Sequence, residues 1–310
     1  MAPSVKRARA LHSDGGSRSC PTWGVLMRIW LSGGRGFTGR GLSQVLKARG
    51  ETVLSSELDL RNYQAVRDEI SGFQPDAIIH LAAISQPTHH PANDFYDVNV
   101  LGTEAILLAA SELPSLKRVI VASSATVYGR LAQEAPVLSE EMVPKPVGHY
   151  AISKFSMEQM VWSFEDVPTL VVRPFNYTGR GQSDAFLLGK VASLIRQRAR
   201  RIELGALDLA RDFTSLSEVL RVYVRCVDQC AVHQGVLNIC SGHAQSLSVL
   251  VGCLIEESGL EVDITISDQL KRGPEIKTLC GDTTRLREWI GYVPKPLDRV
   301  DLQHMLSSNE

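Results

Sequence analysis

An α/β fold built on a doubly wound parallel sheet is predicted by three features of the 310-residue chain. From Met27 onward, short β-rich runs alternate with longer segments of helical period, the pattern of parallel strands joined by crossover helices. The first such run leads straight into a glycine-rich turn that opens a helix, Ser32-Gly33-Gly34-Arg35-Gly36-Phe37-Thr38-Gly39. The chain is also long enough to bury one large core with a smaller lobe beside it.

The first strand is expected over 28–32. Phe37, Leu42, Val45 and Leu46 then recur at helical spacing, and Gly50 closes that helix as a glycine past a C-terminus does. Further strands are expected at 52–55, 77–81, 118–122, 169–173 and 236–240. Much of the remaining Gly and Pro falls in 176–211 and 243–310, with one further strand-like run at 262–266. These stretches are assigned to a smaller C-terminal substrate-binding lobe. The expected division is an extension over 1–26, a Rossmann-type dinucleotide-binding domain over 27–175 and 212–242, and the lobe over 176–211 and 243–310. In the extension, Lys6, Arg7, Arg9 and Arg18 face one acid, Asp14, with no apolar h-region, so it is no secretory signal. It reads as a disordered or non-native leader, with a transit peptide as the alternative and Met27 as a natural start.

Composition narrows the partners. With 44% hydrophobic and 22% charged residues, the chain fits neither a disordered, a collagenous nor a coiled-coil protein. Its apolar runs, such as 77–84 and 119–122, fall far short of the roughly 20 residues that span a bilayer. A formal charge of −1 with no basic block argues against nucleic acid. A small-molecule partner is expected. Without the leader the balance is −4, so anionic ligands must be drawn by local cations such as Arg35, Arg211 and Arg272. The six cysteines show no CxxC pairing and read as reduced, mostly buried thiols of a cytoplasmic protein. Cys226 and Cys230 lie a helical turn apart but no second pair completes a metal site, and His89-His90 are adjacent rather than one turn apart.

In Gly33-x-x-Gly36-x-x-Gly39 the first glycine makes a tight turn, the second lets backbone amides approach a pyrophosphate, and the third allows close helix-to-strand packing. The phosphates then sit on the helix N-terminus. Arg35 would pair with an adenosine 2′-phosphate, whereas Glu57, past the second strand, would accept from a ribose 2′-hydroxyl. NADP(H) is preferred on this reading, with NAD(H) as the alternative.

The chemistry is expected where Ser123-Ser124-Ala125-Thr126-Val127-Tyr128-Gly129 ends a strand and Tyr150-Ala151-Ile152-Ser153-Lys154 follows on a helix. A spacing of four puts Tyr150 and Lys154 on one helix face, where an ammonium favours phenolate over a phenol of pKa about 10. A hydroxyl at the adjacent strand end, Ser124, suits holding a substrate oxygen against that phenol. His149 abuts Tyr150 and is a candidate to line the pocket.

From Met27 to about Leu297 the chain resembles the extended short-chain dehydrogenase/reductase family. The resemblance implies Ser124, Tyr150 and Lys154 as the catalytic set. It places Phe37, Thr38, Asp59, Leu60, Leu81, Ala82, Ala83, Asn99 and Pro174 along the cofactor, with Lys154 also on the nicotinamide ribose. It implies a nucleotide-sugar-binding lobe and homodimers formed through the stretches near 94–110 and 150–162. Arg173-Pro174-Phe175-Asn176-Tyr177-Thr178-Gly179, Gly205-Ala206-Leu207-Asp208-Leu209-Ala210-Arg211-Asp212-Phe213-Thr214, Asn238-Ile239-Cys240-Ser241-Gly242, and Arg272-Gly273-Pro274-Glu275 with Gly281-Asp282 resemble the GDP-mannose branch, above all its GDP-4-dehydro-6-deoxy-D-mannose reductases. That branch implies Ser85, Ser124, Asn176, Lys190, Arg211 and Arg272 as contacts to a GDP-sugar, guanidinium groups suiting a diphosphate through paired donors. The chain departs from the family motif at Arg180, where proline is common, and at an inserted Gly273.

One position separates reduction from dehydration. Dehydratases of that family place a glutamate two residues past the catalytic hydroxyl, to move protons at carbon and at the leaving hydroxyl; here Ala125 and Thr126 follow Ser124. The expected reaction is therefore reduction of the C4 ketone of GDP-4-dehydro-6-deoxy-D-mannose to GDP-D-rhamnose. The alternatives are the 6-deoxy-talose epimer, a 4-epimerase that regenerates its own NAD, and a non-enzymatic redox sensor.

Overall fold

The computed structural model describes residues 26–85, 91–229, 234–270 and 276–307. The leader 1–25, Cys230, the His89-His90 pair and Arg272 lie outside them. Six parallel strands form the central sheet, β1 (Arg28–Ser32), β2 (Thr52–Ser56), β3 (Ala77–His80), β4 (Arg118–Ala122), β5 (Thr169–Pro174) and β6 (Gly235–Ile239), in the order β2-β1-β3-β4-β5-β6. Each lies within one residue of the stretch expected from sequence.

Four helices cross between the first five strands: α1 (Phe37–Ala48), α2 (Tyr63–Phe73), α3 (Gly102–Ser111) and α4 (His149–Val161). After β5 come α5 (Leu187–Arg196) and α6 (Leu216–Asp228), and after β6 come α7 (Leu247–Ser258) and α8 (Arg299–Leu306). The sheet is covered on both faces because neighbouring strand residues point opposite ways and both sets are apolar. Ile29, Leu31, Ile79 and Ile120 pack with Leu42 and Leu46 of α1 and Val219 and Tyr223 of α6. Trp30, Ile78, Val119 and Val121 pack instead with Val66 and Ile70 of α2, Ile106 of α3 and Met157 of α4. On α1, Val45 stays partly exposed while Leu42 and Leu46 are sealed, and Gly50 ends the helix at a φ of +96°.

From β1 the chain steps to β2 on one side and to β3 on the other, so the strand order reverses between β1 and β3. Ligands of open α/β sheets bind outside the carboxyl ends at such a switch point. Gly33 leaves β1 there, Leu81 to Ala83 leave β3, and Ser123 and Ser124 leave β4.

A third core joins α5, α7 and α8 through Leu188, Val191, Leu250, Leu254 and Leu302. The strand expected at 262–266 is Asp263–Ile266, paired with Arg201–Leu204. It is not the lobe's one strand. Ala210–Ser215 is the hub of a second sheet, pairing with Asn176–Thr178, Ala244–Ser246 and Thr278–Leu279. Strands of two or three mixed residues leave no alternation to read. Ala210–Ser215 also crosses the expected boundary at 211/212, and helix Thr284–Ile290 sends Leu286 and Ile290 into the core under α1 and α6. Among the described residues no helix is long and apolar enough to cross a membrane.

Candidate active site

The glycine turn is shaped by two close approaches. Gly33 has a φ of +70°, and a Cβ there would lie 2.7 Å from the Ala82 amide nitrogen. A Cβ on Gly39 would lie 2.1 Å from the Gly33 carbonyl oxygen, so α1 rests directly on the turn. Gly36 precedes α1 with extended backbone and no capping side chain, and the first turn of α1 holds no acid. Exposed amides at the positive end of a helix with no competing carboxylate fit a dinucleotide diphosphate.

Around this turn, Phe37 stacks on Tyr177 at 6.1 Å, and Thr38 Oγ1 hydrogen-bonds Tyr177 Oη at 2.8 Å. Arg35 and Glu57, alternatives in the sequence, are partners in the fold: their exposed side chains form an ion pair. Asp59 accepts from the Arg61 side chain and backbone, which hold its carboxyl below the usual range. Leu60 is buried, in contact range of Gly102, and packs in the core.

A directed chain of hydrogen bonds fixes the end of β3. Thr103 Oγ1 donates to Asn99 O at 2.7 Å, so it accepts from His80 Nε2 at 2.9 Å. That leaves His80 Nδ1 to accept from Ser32 Oγ at 2.7 Å, and Ser32 Oγ in turn accepts from the Ala82 amide. Burial, with the Lys154 charge beside it, holds His80 down at about 3, so the ring stays neutral. An unfolded chain takes up a proton near pH 6.5 that the folded one refuses, so this group makes stability fall as pH drops from about 6.5 toward 3. Urea midpoints across that window should slope more steeply for the wild type than for His80→Gln, and equal slopes would contradict the assignment.

Asn99 is fully buried, and its amide is engaged by protein: Oδ1 accepts from Ile84 N at 2.9 Å, and Nδ2 donates to Ile84 O and to Ser153 Oγ. Ser153 Oγ passes the bond on to Tyr150 O. Asn99 thus ties the segment after β3 to the first turn of α4.

Ser124, Tyr150 and Lys154 come together at the carboxyl end of β4. Burial pushes the Tyr150 phenol up to about 12, and the Ser124 hydroxyl beside it pulls the other way. Lys154, one turn along α4, is buried and donates from Nζ to Ala122 O at 2.7 Å. Burial lowers it to about 8, against the pull of the Glu158 charge. Spacing on the helix pointed to an ammonium acting on the phenol; in the fold the pull that lowers the phenol comes from Ser124, and burial outweighs it. His149 Nδ1 lies 3.0 Å from Tyr96 Oη.

Behind the triad lies a buried network that motif reading missed. Arg173 donates to Glu158 from Nε and Nη2 at 2.9 and 2.6 Å, Ser123 Oγ donates to the same carboxylate, and Arg173 stacks 4.9 Å from the Tyr128 ring. Tyr128 Oη donates to Asn238 Oδ1 at 2.7 Å, and Asn238 N donates to Glu140. The signal was Glu158 at a further spacing of four on α4, the face already carrying Tyr150 and Lys154.

The expected sugar contacts are more dispersed. Ser85 is exposed after β3; Pro174 and Asn176 are half-buried, and Asn176 is the register partner of Phe213, two residues past Arg211. Lys190 Nζ donates to Glu203 O at 2.8 Å, and Arg211 Nη1 to Ala210 O at 2.8 Å.

Comparison with known proteins matches residues 29–240 to the NAD dependent epimerase/dehydratase family. The chain is 34% identical over 273 residues to a GDP-6-deoxy-D-talose 4-dehydrogenase of Aggregatibacter actinomycetemcomitans, covering 86% of this chain and 92% of that one. It is 30% identical over 300 residues to a GDP-6-deoxy-D-mannose reductase of Pseudomonas aeruginosa, covering 92% and 98%. Among solved structures, RMD from Pseudomonas aeruginosa complexed with NADPH superposes with a TM-score of 0.81 at 29% identity, over 91% of this chain and 96% of that one.

Proposed function

Because the chain belongs to the NAD dependent epimerase/dehydratase family, we propose that it reduces the C4 ketone of GDP-4-dehydro-6-deoxy-D-mannose to GDP-D-rhamnose, preferring NADPH and accepting NADH. The observation that carries this reading is the meeting of Ser124 and Tyr150 at the carboxyl end of β4, with Lys154 one turn away on Ala122 O and no acid at positions 125 and 126. The Pseudomonas aeruginosa relative's name and its cofactor support the substrate and the preference.

When bound, the reduced nicotinamide supplies a hydride to the ketone carbon. Tyr150 gives its proton to the oxygen that becomes the hydroxyl, and Ser124 donates a hydrogen bond to the same oxygen. Lys154 keeps a positive charge beside them and orients the ribose. Gly33, Gly36 and Gly39 receive the diphosphate of the cofactor. The lobe holds the sugar nucleotide through Asn176, Lys190 and Arg211, the two cations exchanging a carbonyl partner for a diphosphate oxygen; Arg272 joins them in this reading. Dimers form through α3 and α4, whose outer sides leave Leu108 and Ile152 exposed. Sedimentation as a monomer at micromolar concentration would remove the dimer from this scheme.

A second reading is favoured by the Aggregatibacter relative, whose name specifies the talo epimer. The same residues serve both, with opposite faces of the ketone presented. Incubation of the keto-sugar nucleotide with NADPH, followed by proton NMR of the product, tests both. Loss of one nicotinamide per reduced sugar with a manno coupling pattern at C4 is expected. A talo pattern selects the second reading, and sugar conversion without net cofactor oxidation would mean an epimerase.

Arg35 is assigned to the 2′-phosphate. Its pair with Glu57 is solvent-exposed, and such pairs contribute about 0–1 kcal/mol, so Arg35 is released at little cost. Arg35→Ala should raise the KM for NADPH about 10–100-fold, the loss of a charge-assisted bond, and leave NADH nearly unchanged. Glu57→Gln should shift preference further toward NADPH. Initial rates with each cofactor check both, and equal effects on the two cofactors would refute the assignment.

A further inference from the structure

We propose that Tyr177 is a positioning residue that holds the start of α1 in place for the cofactor diphosphate and so makes cofactor and sugar nucleotide bind cooperatively; the cooperative half rests on the GDP-sugar reading above. The warrant is two contacts made by one side chain. The Tyr177 ring stacks on Phe37 with centroids 6.1 Å apart and planes 13° apart, and its hydroxyl lies 2.8 Å from Thr38 Oγ1. Phe37 and Thr38 are the first two residues of α1, and their amides are among those that a helix leaves without an internal partner at its N-terminus.

From within, that first turn has little to hold it. Gly36 precedes it with no capping side chain, and Gly39 and Gly41 follow close behind, glycine being the weakest helix former after proline. The hold comes from outside. Gly39 rests on the Gly33 carbonyl, Gly41 lies against Leu220 of α6, and Phe37 and Thr38 lie against Tyr177. The last of these supports comes from strand Asn176–Thr178, beyond the end of β5.

Tyr177 is itself anchored on the sugar side. Its carbonyl accepts from Gln182 Nε2 at 2.9 Å, and the fully buried Thr178 donates to Gln182 Oε1 at 2.6 Å. Its strand pairs with Phe213 to Ser215, in the same strand as Arg211. Asn176 and Arg211 are sugar-nucleotide contacts in the proposed reading, so a GDP diphosphate bound there orders the strand that carries Tyr177. The first turn of α1 is then held in the form the cofactor needs, and less ordering is left for the cofactor to impose. The effect is reciprocal, because the coupling between two ligands is one free energy seen from either side.

The test pairs Tyr177→Phe, which removes one oxygen and keeps the stack, with Thr38→Val, which removes the other and keeps the shape. Each should weaken NADPH binding, read by nicotinamide fluorescence, about 3–10-fold, the usual size of one hydrogen bond, and the double variant should bind no worse than the weaker single. Thr38→Ser, which restores the hydroxyl, should return to within about twofold of wild type. Wild-type affinity in both singles, or losses that add in the double, would overturn the hold on α1. A second arm adds GDP, which has no ketone to reduce. In the wild type, saturating GDP should tighten NADPH about 3–10-fold, no more than the bond that transmits it, and in Tyr177→Phe that gain should vanish. A wild type that binds GDP with no gain, or a variant that keeps the gain, would overturn the cooperativity. A wild type that binds no GDP defeats the GDP-sugar reading and the cooperative half with it, and the first arm still decides whether Tyr177 holds α1.

Discussion

Tyr150→Phe is expected to lower kcat by about 10²–10⁴-fold, the range carried by a positioned proton donor, with NADPH binding within a factor of two of wild type. The split follows from where the groups sit. Only the phenol oxygen is removed, while the ring that packs 6.2 Å from Phe95 and the glycine turn proposed for the diphosphate are untouched. Ser124 and Tyr150 are proposed to act on one substrate oxygen, so Ser124→Ala added to Tyr150→Phe should cost less than it does alone, the non-additivity of groups that act as a unit. The surviving wild-type pH profile carries the sign of Lys154. That ammonium is held at about 8 by burial, so it loses its charge as pH rises through 8, and kcat should fall there although the phenol remains protonated up to about 12. Rates from stopped-flow single turnovers between pH 6 and 10 measure both effects. A Tyr150→Phe variant within tenfold of wild type would overturn the proton-donor role.

How much of this site could be read from the chain depends on how local each feature is. The turn at Gly33, Gly36 and Gly39 and the Tyr150–Lys154 spacing are contained in a few consecutive residues, and the inner strands of the central sheet are short apolar runs because both faces are covered. The lobe's second sheet was hidden because Asn176–Thr178 and Thr278–Leu279 are too short to show a period, and they become strands only beside Ala210–Ser215. Arg35 and Glu57 are each a surface charge in sequence; that they pair depends on β2 lying next to β1. The spacing of Tyr150 and Lys154 gives a shared face but not the depth of burial, and depth is what puts the phenol above its ordinary value and the ammonium below it.

Glu158 shows the same limit with the largest consequence for stability. On α4 an acid reads as solvated, yet its carboxylate is buried, takes two donors of Arg173 from β5 and one from Ser123, and lies one turn beyond Lys154. Burial alone would pull the Arg173 guanidinium down; its bonds to Glu158 more than offset this and hold it above its ordinary value. Glu158→Gln keeps the volume but leaves that cation uncompensated in the core, so it should destabilise the fold by about 3–5 kcal/mol, measured by urea unfolding. Removing both charges differs from removing one. Glu158→Gln with Arg173→Met has no orphaned ion, and such apolar replacements are often neutral, so the double variant should regain much of the lost stability. It should not regain the pH profile. With the Glu158 charge gone, nothing opposes burial at Lys154, and the alkaline fall of kcat should begin below pH 8 in both variants. Restored stability together with an unmoved limb would show that the pair only packs β5 against α4. A limb displaced in both variants, with stability recovered in one, makes the buried carboxylate the group that keeps the active-site lysine charged at neutral pH.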